Sequence, residues 1–286
     1  MMRVYATCFW EEDAALYEDL RKYGFGKAEW KDIQFVSKEP FDYVVIFTSP
    51  HKSCREFDLS KAVTFLTEPP AHLFHQKNPA IICPMYMPCP WWIHSSGDLM
   101  DSILEKKITK SSLFSAVTSE LCYLEGHRKR LQFLYQLDRV IEEGIDIFGR
   151  KQSGEIFSNF THYKGELSDK YDGLLPYRYH FACENSFVHN YFTEKILDPI
   201  IAGCVCFYDG CPNLAEYLDE RAFVKIDVNN VSDTIELIVK SIEDNEYSKR
   251  KKIIEQQKKR ILMDLNPLNI IWGQLAGKDM THFLKL

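Results

Sequence analysis

Polar and charged side chains that could perform chemistry gather in one short stretch of the 286-residue chain, CENSFVHNYFTEKI at 183–196. The candidates within it are Glu184, Asn185, Tyr191, Thr193, Glu194 and Lys195. The stretch leaves a strand-like run and enters a helical pattern, and the N–H groups of a helix N-terminus suit a phosphate. Lys195 would add a full positive charge, and Glu194 could accept two hydrogen bonds from a vicinal diol such as a ribose. The stretch predicts a nucleotide site, with a helix cap among surface charges as the alternative.

The elements that must position these residues form two series of short apolar strands alternating with helices. In the first series we predict a strand at 3–10 and a helix at 11–26, then apolar strand-like runs at 41–50 and 62–70 that end in polar or proline-rich turns. The proline-interrupted segment 80–93 predicts a strand and an irregular loop. In the second we predict strands at 112–119, 144–149, 177–185, 203–210 and 222–227, with helices at 127–142, 191–202, 232–243 and 246–263. Such alternation indicates parallel sheets covered on both faces. We therefore predict an α/β protein with two Rossmann-like domains, 1–105 and 106–263, and residues 264–286 packing back on the first.

Composition and charge argue against several classes of protein. The net charge is −6, which disfavours a nucleic-acid partner, and no run of 18 apolar residues predicts a membrane span. The nine cysteines include no C-x-x-C pair, so free thiols in a reducing compartment are expected. The N-terminus resembles a buried strand rather than a signal peptide. These features favour a cytoplasmic protein.

Two further patterns have simple structural explanations. The stretch KYGFGK (22–27) could suggest a dinucleotide loop, but it follows a helix, so a helix C-cap is the prediction. The basic run at 248–260 could suggest a membrane or RNA surface. Its apolar residues fall on one helical face, which favours a solvated amphipathic helix.

The segment YRYHFACENSFVHNYFTEKILDPIIAGCVCFYDG (177–210) resembles the donor-binding signature of the α1,3-fucosyltransferases, glycosyltransferase family 10. The combination of E-N-S with Y-x-T-E-K at this spacing is specific to that signature. Upstream, the stretches at 115–137 and 145–150 resemble the family's strand, turn and R-x-R helix and its following strand. The resemblance extends over about residues 112–262.

This resemblance implies a GT-B fold, in which two Rossmann-like domains face each other across a cleft. The N-terminal domain would bind the acceptor and the C-terminal domain the nucleotide sugar. Family members invert the anomeric centre and need no metal or other cofactor. By matching position, Arg130 and Lys195 would bind the diphosphate and Glu194 the ribose, while Tyr191 and Asn185 would contact the nucleotide and sugar. Arg128 is the alternative to Arg130 for this role, and the apolar spacing of the helix favours Arg130.

The reaction also needs a base for the acceptor hydroxyl. Glu68, in TFLTEPP directly after an apolar strand, resembles the family's glutamate that is proposed as this base. An ordinary exposed loop glutamate is the alternative. For acceptor contacts we consider His72, His75, Trp91 and Trp92, with plain surface for the histidines and core for the tryptophans as alternatives.

The resemblance predicts transfer of L-fucose from GDP-fucose to a hydroxyl of an oligosaccharide or glycoconjugate. The same fold and mechanism with a UDP-sugar such as UDP-xylose is one alternative, and a non-catalytic glycan-binding module is another. With no anchor apparent, a bacterial protein or a viral protein acting in the host cytosol is expected.

Overall fold

A computed structural model describes residues 1–69, 81–105, 107–141, 144–151 and 155–286. The chain forms two compact units. The first comprises Met1–Cys89 and Met263–Lys285, and the second comprises Pro90–Leu262 with Leu286. The division thus lies between Cys89 and Pro90, whereas the sequence predicted a boundary after residue 105.

The first unit is built on a six-stranded, mostly parallel sheet. Its strands are β1 (Met2–Cys8), β2 (Glu29–Trp30), β3 (Ile33–Phe35), β4 (Tyr43–Phe47), β5 (Ala62–Phe65) and β6 (Ile81–Ile82). Their order is β2-β3-β1-β4-β5-β6, with β2 and β3 antiparallel and the other neighbours parallel. Strands β1 and β4 are near-continuous apolar runs because both of their faces are covered.

Two helices accompany this sheet. Helix α1 (Asp13–Tyr23) packs on β1, and α7 (Pro267–Leu275), from the end of the chain, packs on α1. Helix α1 ends at Gly24, whose N–H donates to the Leu20 carbonyl, and Phe25 and Gly26 then adopt positive φ. The prediction that KYGFGK ends a helix is therefore confirmed.

The second unit contains six parallel strands. They are β7 (Ser112–Ser119), β8 (Asp146–Arg150), β9 (Tyr163–Gly165), β10 (Tyr177–Cys183), β11 (Val205–Asp209) and β12 (Phe223–Lys225). Their order is β12-β11-β10-β7-β8-β9, so the winding direction reverses between β7 and β10. This is the doubly wound order of Rossmann units, whose ligands bind beyond the carboxyl ends of the strands at the reversal. The predicted α/β fold with two Rossmann-like domains, typical of the GT-B class, is confirmed.

Within the described ranges, the second unit contains five α-helices, the last of which ends at the boundary of the unit. They are α2 (Gly97–Glu105), α3 (Glu125–Val140), α4 (Glu194–Ile201), α5 (Val231–Glu243) and α6 (Glu246–Met263). Helix α3 buries Phe133, Leu134 and Leu137 completely, at the spacing of one helical face. Among the described residues, every helix is too short or too polar to cross a membrane.

The segment between Pro90 and Glu105 belongs to the second unit because buried polar groups of that unit bind it. The Trp91 N–H donates to Asp198 Oδ1 at 2.8 Å. The buried Lys258 ammonium of α6 donates to the Ile103 carbonyl near the end of α2. A domain boundary at 105 would separate these donors from their acceptors.

Candidate functional site

A pocket of about 510 Å³ opens in the second unit at the reversal between β7 and β10. Its volume lies within the range of roughly 300–1,000 Å³ that small-ligand sites occupy. Its walls come from the carboxyl ends of β7 and β8, the first turns of α3 and α4, the segment after β9, and Trp91. The lining residues that carry the argument are His127, Arg130, Lys170, Asn185, Glu194 and Lys195.

Glu184 organises the floor beneath this pocket. Its side chain is completely buried, and its carboxylate accepts hydrogen bonds from the Thr193 N–H and hydroxyl, each at 2.9 Å, and from the Tyr208 hydroxyl at 3.3 Å. Burial raises the pKa of Glu184, and the Lys195 ammonium at 3.6 Å opposes that shift. Glu184 thus holds the strand-to-helix junction together and does not itself line the pocket.

The junction places the start of α4 later than the sequence suggested. We predicted a helix from 191, whereas α4 begins at Glu194 because Thr193 keeps an extended backbone and caps it. The Thr193 hydroxyl accepts from the Lys195 N–H at 3.3 Å. Tyr191 is 1% exposed and Thr193 is 7% exposed, and neither lines the pocket. In this structure both predicted donor contacts are scaffold residues.

Two glycines permit the close packing of the junction. A Cβ on Gly126, in the first turn of α3, would lie 2.3 Å from the Glu184 carbonyl oxygen. A Cβ on Gly210, after β11, would lie 2.4 Å from Glu184 Cγ. Both distances are far inside van der Waals contact, so only glycine fits without a backbone shift. The approach of α3 to the junction brings Arg130 to the pocket.

Arg130 is the buried cation of the pocket. It is 5% exposed, its Nη1 donates to Asn185 Oδ1 at 3.2 Å, and its buried Nε has no hydrogen-bond partner. A buried guanidinium N–H without an acceptor is costly, and an anionic ligand would satisfy it. Arg128 is exposed and donates instead to the Cys122 and Tyr123 carbonyls, each at 3.1 Å. The structure therefore places Arg130, and not Arg128, at the pocket.

Lys195 and Glu194 form the first turn of α4. Lys195 Nζ lies 3.0 Å from Glu194 Oε1. Burial by itself would raise the pKa of Glu194, but the positive charges of Lys195 and Lys170 lower it to about 2. Burial likewise opposes ionisation of Lys195, and the two neighbouring carboxylates, Glu194 and Glu184, raise its pKa. Both side chains are therefore charged at neutral pH.

His127 is a pocket residue that the sequence did not reveal. It is 1% exposed, and its Nδ1 accepts from the Leu124 N–H at 3.4 Å. Burial, followed by the charges of Arg130 and Lys195, lowers the pKa of His127 to about 4, so the imidazole is neutral near pH 7. A histidine in an R-x-R helix carries no sequence signal that distinguishes a pocket wall from a helix surface.

The pocket walls are mostly basic. Their charged side chains are Arg130, Arg150, Lys170 and Lys195 against Glu166 and Glu194. Glu166 and Arg150 pair with each other at 2.9 Å, so the remaining positive charge lies around Arg130. The buried hydroxyl oxygen of Thr118, on another wall, also has no hydrogen-bond partner. Together these groups suit a small anion with several acceptor oxygens.

Glu68 lies in the first unit, shortly beyond β5 at the carboxyl end of its sheet, and is half-buried. Thr48, which follows β4, has φ of 60°, a left-handed conformation that β-branched residues rarely adopt. Its hydroxyl oxygen accepts from the Thr67 N–H at 2.9 Å and so fixes the residue before Glu68. Strain of ~1–3 kcal/mol is found mainly at functional sites. The assignment of Glu68 as the base stays a prediction.

The predicted acceptor residues have different outcomes. His72 and His75 lie outside the described residues. Trp92 is 1% exposed, so its indole is core and offers no surface to an acceptor. Trp91 is 46% exposed and belongs to the wall of the second unit's pocket, not to the first unit.

The basic run at 248–260 lies along α6. A second hollow of about 600 Å³ runs beside it, but its basic residues are largely paired: Glu246 binds Lys249 and Arg250 at 2.9 and 2.7 Å. Ile254, Ile261 and Leu262 of this helix are buried, whereas Ile253 lines the hollow. This arrangement is the solvated amphipathic helix that the sequence predicted. Within the described part of the chain, no group of three or more potential metal ligands occurs.

A doubly wound parallel sheet with a cationic pocket at its reversal is typical of nucleotide-binding α/β units. The family model for glycosyltransferase family 10 (fucosyltransferase), C-terminal part, matches residues 108–258, more than half of the chain. The chain therefore belongs to this family of glycosyltransferase enzymes, and the resemblance seen in the sequence is confirmed.

A curated relative is GDP-fucose protein O-fucosyltransferase 3 of Danio rerio, 28% identical over 110 residues. The match covers 37% of this chain and 24% of the relative, so this chain spans about a quarter of that protein's length.

Solved structures that match this chain include an α1,3-fucosyltransferase with GDP-fucose. Its identity is 16% and its TM-score 0.48, over 87% of this chain and 81% of that one. The lipopolysaccharide outer core galactosyltransferase WaaB is 12% identical with a TM-score of 0.49, over 82% and 75% of the two chains. Similarity at this level does not identify the donor or the acceptor of this protein.

Proposed function

We propose that the protein transfers L-fucose from GDP-fucose to a hydroxyl of a glycan or glycoconjugate, with inversion and without a metal ion. The observation that carries the proposal is the pocket of the second unit, where Arg130, Glu194 and Lys195 converge within the region matched by the fucosyltransferase family. A curated relative named for GDP-fucose supports this donor.

The roles follow from the charges of the pocket. Arg130 and Lys195 bind the diphosphate, and Arg130 Nε gains the acceptor that it lacks. Glu194 is ionised because its pKa is about 2, and its carboxylate accepts hydrogen bonds from the two ribose hydroxyls. Asn185 already orients Arg130 through its amide oxygen and lines the same wall.

The reaction is a single displacement. The acceptor oxygen forms a bond to the anomeric carbon while the bond from that carbon to the β-phosphate oxygen breaks, and GDP leaves. The hydroxyl proton passes to the Glu68 carboxylate, since a neutral hydroxyl is a weak nucleophile. Negative charge grows on the departing phosphate, where cations already held in place lower the barrier most. Because side chains supply these cations, no metal is needed for charge stabilisation.

The test is transfer from a panel of GDP- and UDP-sugars in excess EDTA, with acceptors that offer either sugar or protein hydroxyls. We expect turnover with GDP-fucose, undiminished by the chelator, and a product of inverted anomeric configuration by NMR.

Transfer from UDP-xylose alone would exclude the proposed donor. Activity that EDTA abolishes and Mn²⁺ restores would exclude the metal-free mechanism. GDP-fucose binding without transfer to any acceptor or release of GDP would identify a non-catalytic module.

A further inference from the structure

Lys170 is a further cation of the pocket, contributed by the connection between β9 and β10. It begins a short 3₁₀ turn, Lys170–Gly173, between β9 and β10. Its side chain is 18% exposed and lines the pocket together with Arg130 and Lys195. The same three residues also line the narrow cavity beneath the pocket floor. The chain thus brings cations from α3, α4 and this turn to one small volume.

A buried carboxylate holds the Lys170 ammonium in place. Asp198 of α4 is completely buried, and its Oδ2 accepts from Lys170 Nζ at 2.6 Å. Its Oδ1 accepts from the Trp91 N–H at 2.8 Å and from the Tyr171 hydroxyl at 3.1 Å. The carboxylate therefore receives three donors from two chain segments, the turn that carries Lys170 and Tyr171 and the segment that begins at Pro90. Two of these donors are neutral.

The geometry leaves Lys170 free to bind a ligand. An ammonium has three N–H donors, and the bond to Asp198 uses one of them. Asp198 follows Glu194 by one helical turn, so both carboxylates lie on the face of α4 that Lys170 approaches. The positive charge of Lys170 contributes to the lowered pKa of Glu194, and both side chains line the same pocket.

We propose that Lys170 binds the diphosphate of the donor as a third cation, and that Asp198 is the residue that positions it. This inference depends on the proposed function, because it assigns a further contact in the same donor pocket. A lysine held before the ligand arrives loses little side-chain freedom on binding and stabilises the leaving phosphate without reorganisation. Asp198 is fully buried and does not line the pocket, whereas its partner Lys170 does.

The simplest variant, Lys170→Met, leaves Asp198 buried without its cation and risks unfolding. The double variant Lys170→Met with Asp198→Asn avoids this problem, because asparagine can still accept from the Trp91 N–H and the Tyr171 hydroxyl through its amide oxygen. Lys170→Arg keeps the cation. Lys164→Met is the matched control, since Lys164 pairs with Asp146 at 3.3 Å on the same sheet and does not line the pocket.

Calorimetric titration with GDP and GMP tests the inference. We expect the double variant to bind GDP about tenfold more weakly, the loss of one charge-assisted contact, while GMP affinity changes less than about threefold. Lys170→Arg and Lys164→Met should stay within about threefold of wild type for GDP. A folded double variant that binds GDP as wild type does, or that loses GDP and GMP equally, overturns the inference. If wild type binds UDP and not GDP, the proposed donor fails, and the comparison of UDP with UMP tests Lys170 separately.

Discussion

The variant Glu68→Gln should transfer sugar about 10²–10⁴-fold more slowly than wild type, the usual contribution of a general base. Glutamine keeps the size of the side chain and its hydrogen-bonding oxygen but cannot take the acceptor proton. Glu68 lies in the first unit, whereas the nucleotide pocket lies in the second. GDP affinity should therefore change no more than a few-fold. Steady-state transfer rates and calorimetric GDP affinity of the same preparation provide the measurement.

The control for this prediction is Glu56→Gln, the same chemical change at an exposed position of the first unit. It should leave both rate and affinity unchanged. A Glu68→Gln enzyme with near-normal turnover would remove Glu68 from the mechanism, and the strained turn at Thr48 would then need another explanation.

The second large effect concerns the leaving group. Arg130→Ala and Lys195→Ala should each weaken GDP binding by about ten- to a hundred-fold, because each removes a charge-assisted contact of ~1.5–3 kcal/mol. The transfer rate should fall by a larger factor than the GDP affinity, since the charge on the departing phosphate is greatest in the transition state. Calorimetry for GDP and initial rates at saturating acceptor measure the two effects.

Arg128→Ala is the matched control, because Arg128 belongs to the same helix but binds the Cys122 and Tyr123 carbonyls away from the pocket. Its GDP affinity should remain within a few-fold of wild type. Lys195 also lies 3.6 Å from the buried Glu184, so thermal unfolding of Lys195→Ala must be measured alongside binding. If the Arg130 and Lys195 variants both bind GDP as tightly as wild type, the junction is a helix cap with surface charges.

The strands of the second unit other than β9 were predictable because parallel strands covered on both faces are continuous apolar runs. The predicted strand 112–119 coincides with β7, and 203–210 contains β11. The two- and three-residue strands β2, β3 and β9 lack such runs and were missed. Helix α2, which is nine residues long and has Ile103 as its one fully buried residue, was also missed.

Helix α7 was missed for a different reason. Its sequence, PLNIIWGQL, is apolar nearly all round and so lacks a helical period, although Asn266 caps it and proline occupies its first turn. The cap and the proline were the available signals. Together they indicate a helix start even where the periodicity does not.

The candidate site could be predicted only where its residues are contiguous. Asn185, Glu194 and Lys195 were found together, and the R-x-R spacing supplied Arg130. Glu184 was expected at the ligand, because a sequence does not reveal that a carboxylate is fully buried beneath the pocket and bound by Thr193 and Tyr208.

Other pocket residues could not be found from the sequence because the folded sheet assembles them. Lys170 and His127 reach the pocket from a connecting turn and from the first turn of α3. Asp198 looked like an ordinary polar position in an apolar helix. Only its three donors, which come from the turn at Lys170 and Tyr171 and from Trp91, reveal its role.

The measurement that tests the central claim most directly is a crystal structure of the protein with GDP. We predict diphosphate oxygens within about 2.7–3.2 Å of the Arg130 guanidinium and Lys195 Nζ, and the ribose hydroxyls on the Glu194 carboxylate. Arg130 Nε, which lacks a partner without ligand, should be hydrogen-bonded in the complex. GDP bound elsewhere, such as in the basic hollow along α6, or bound with its diphosphate touching neither cation, would contradict the donor site described here.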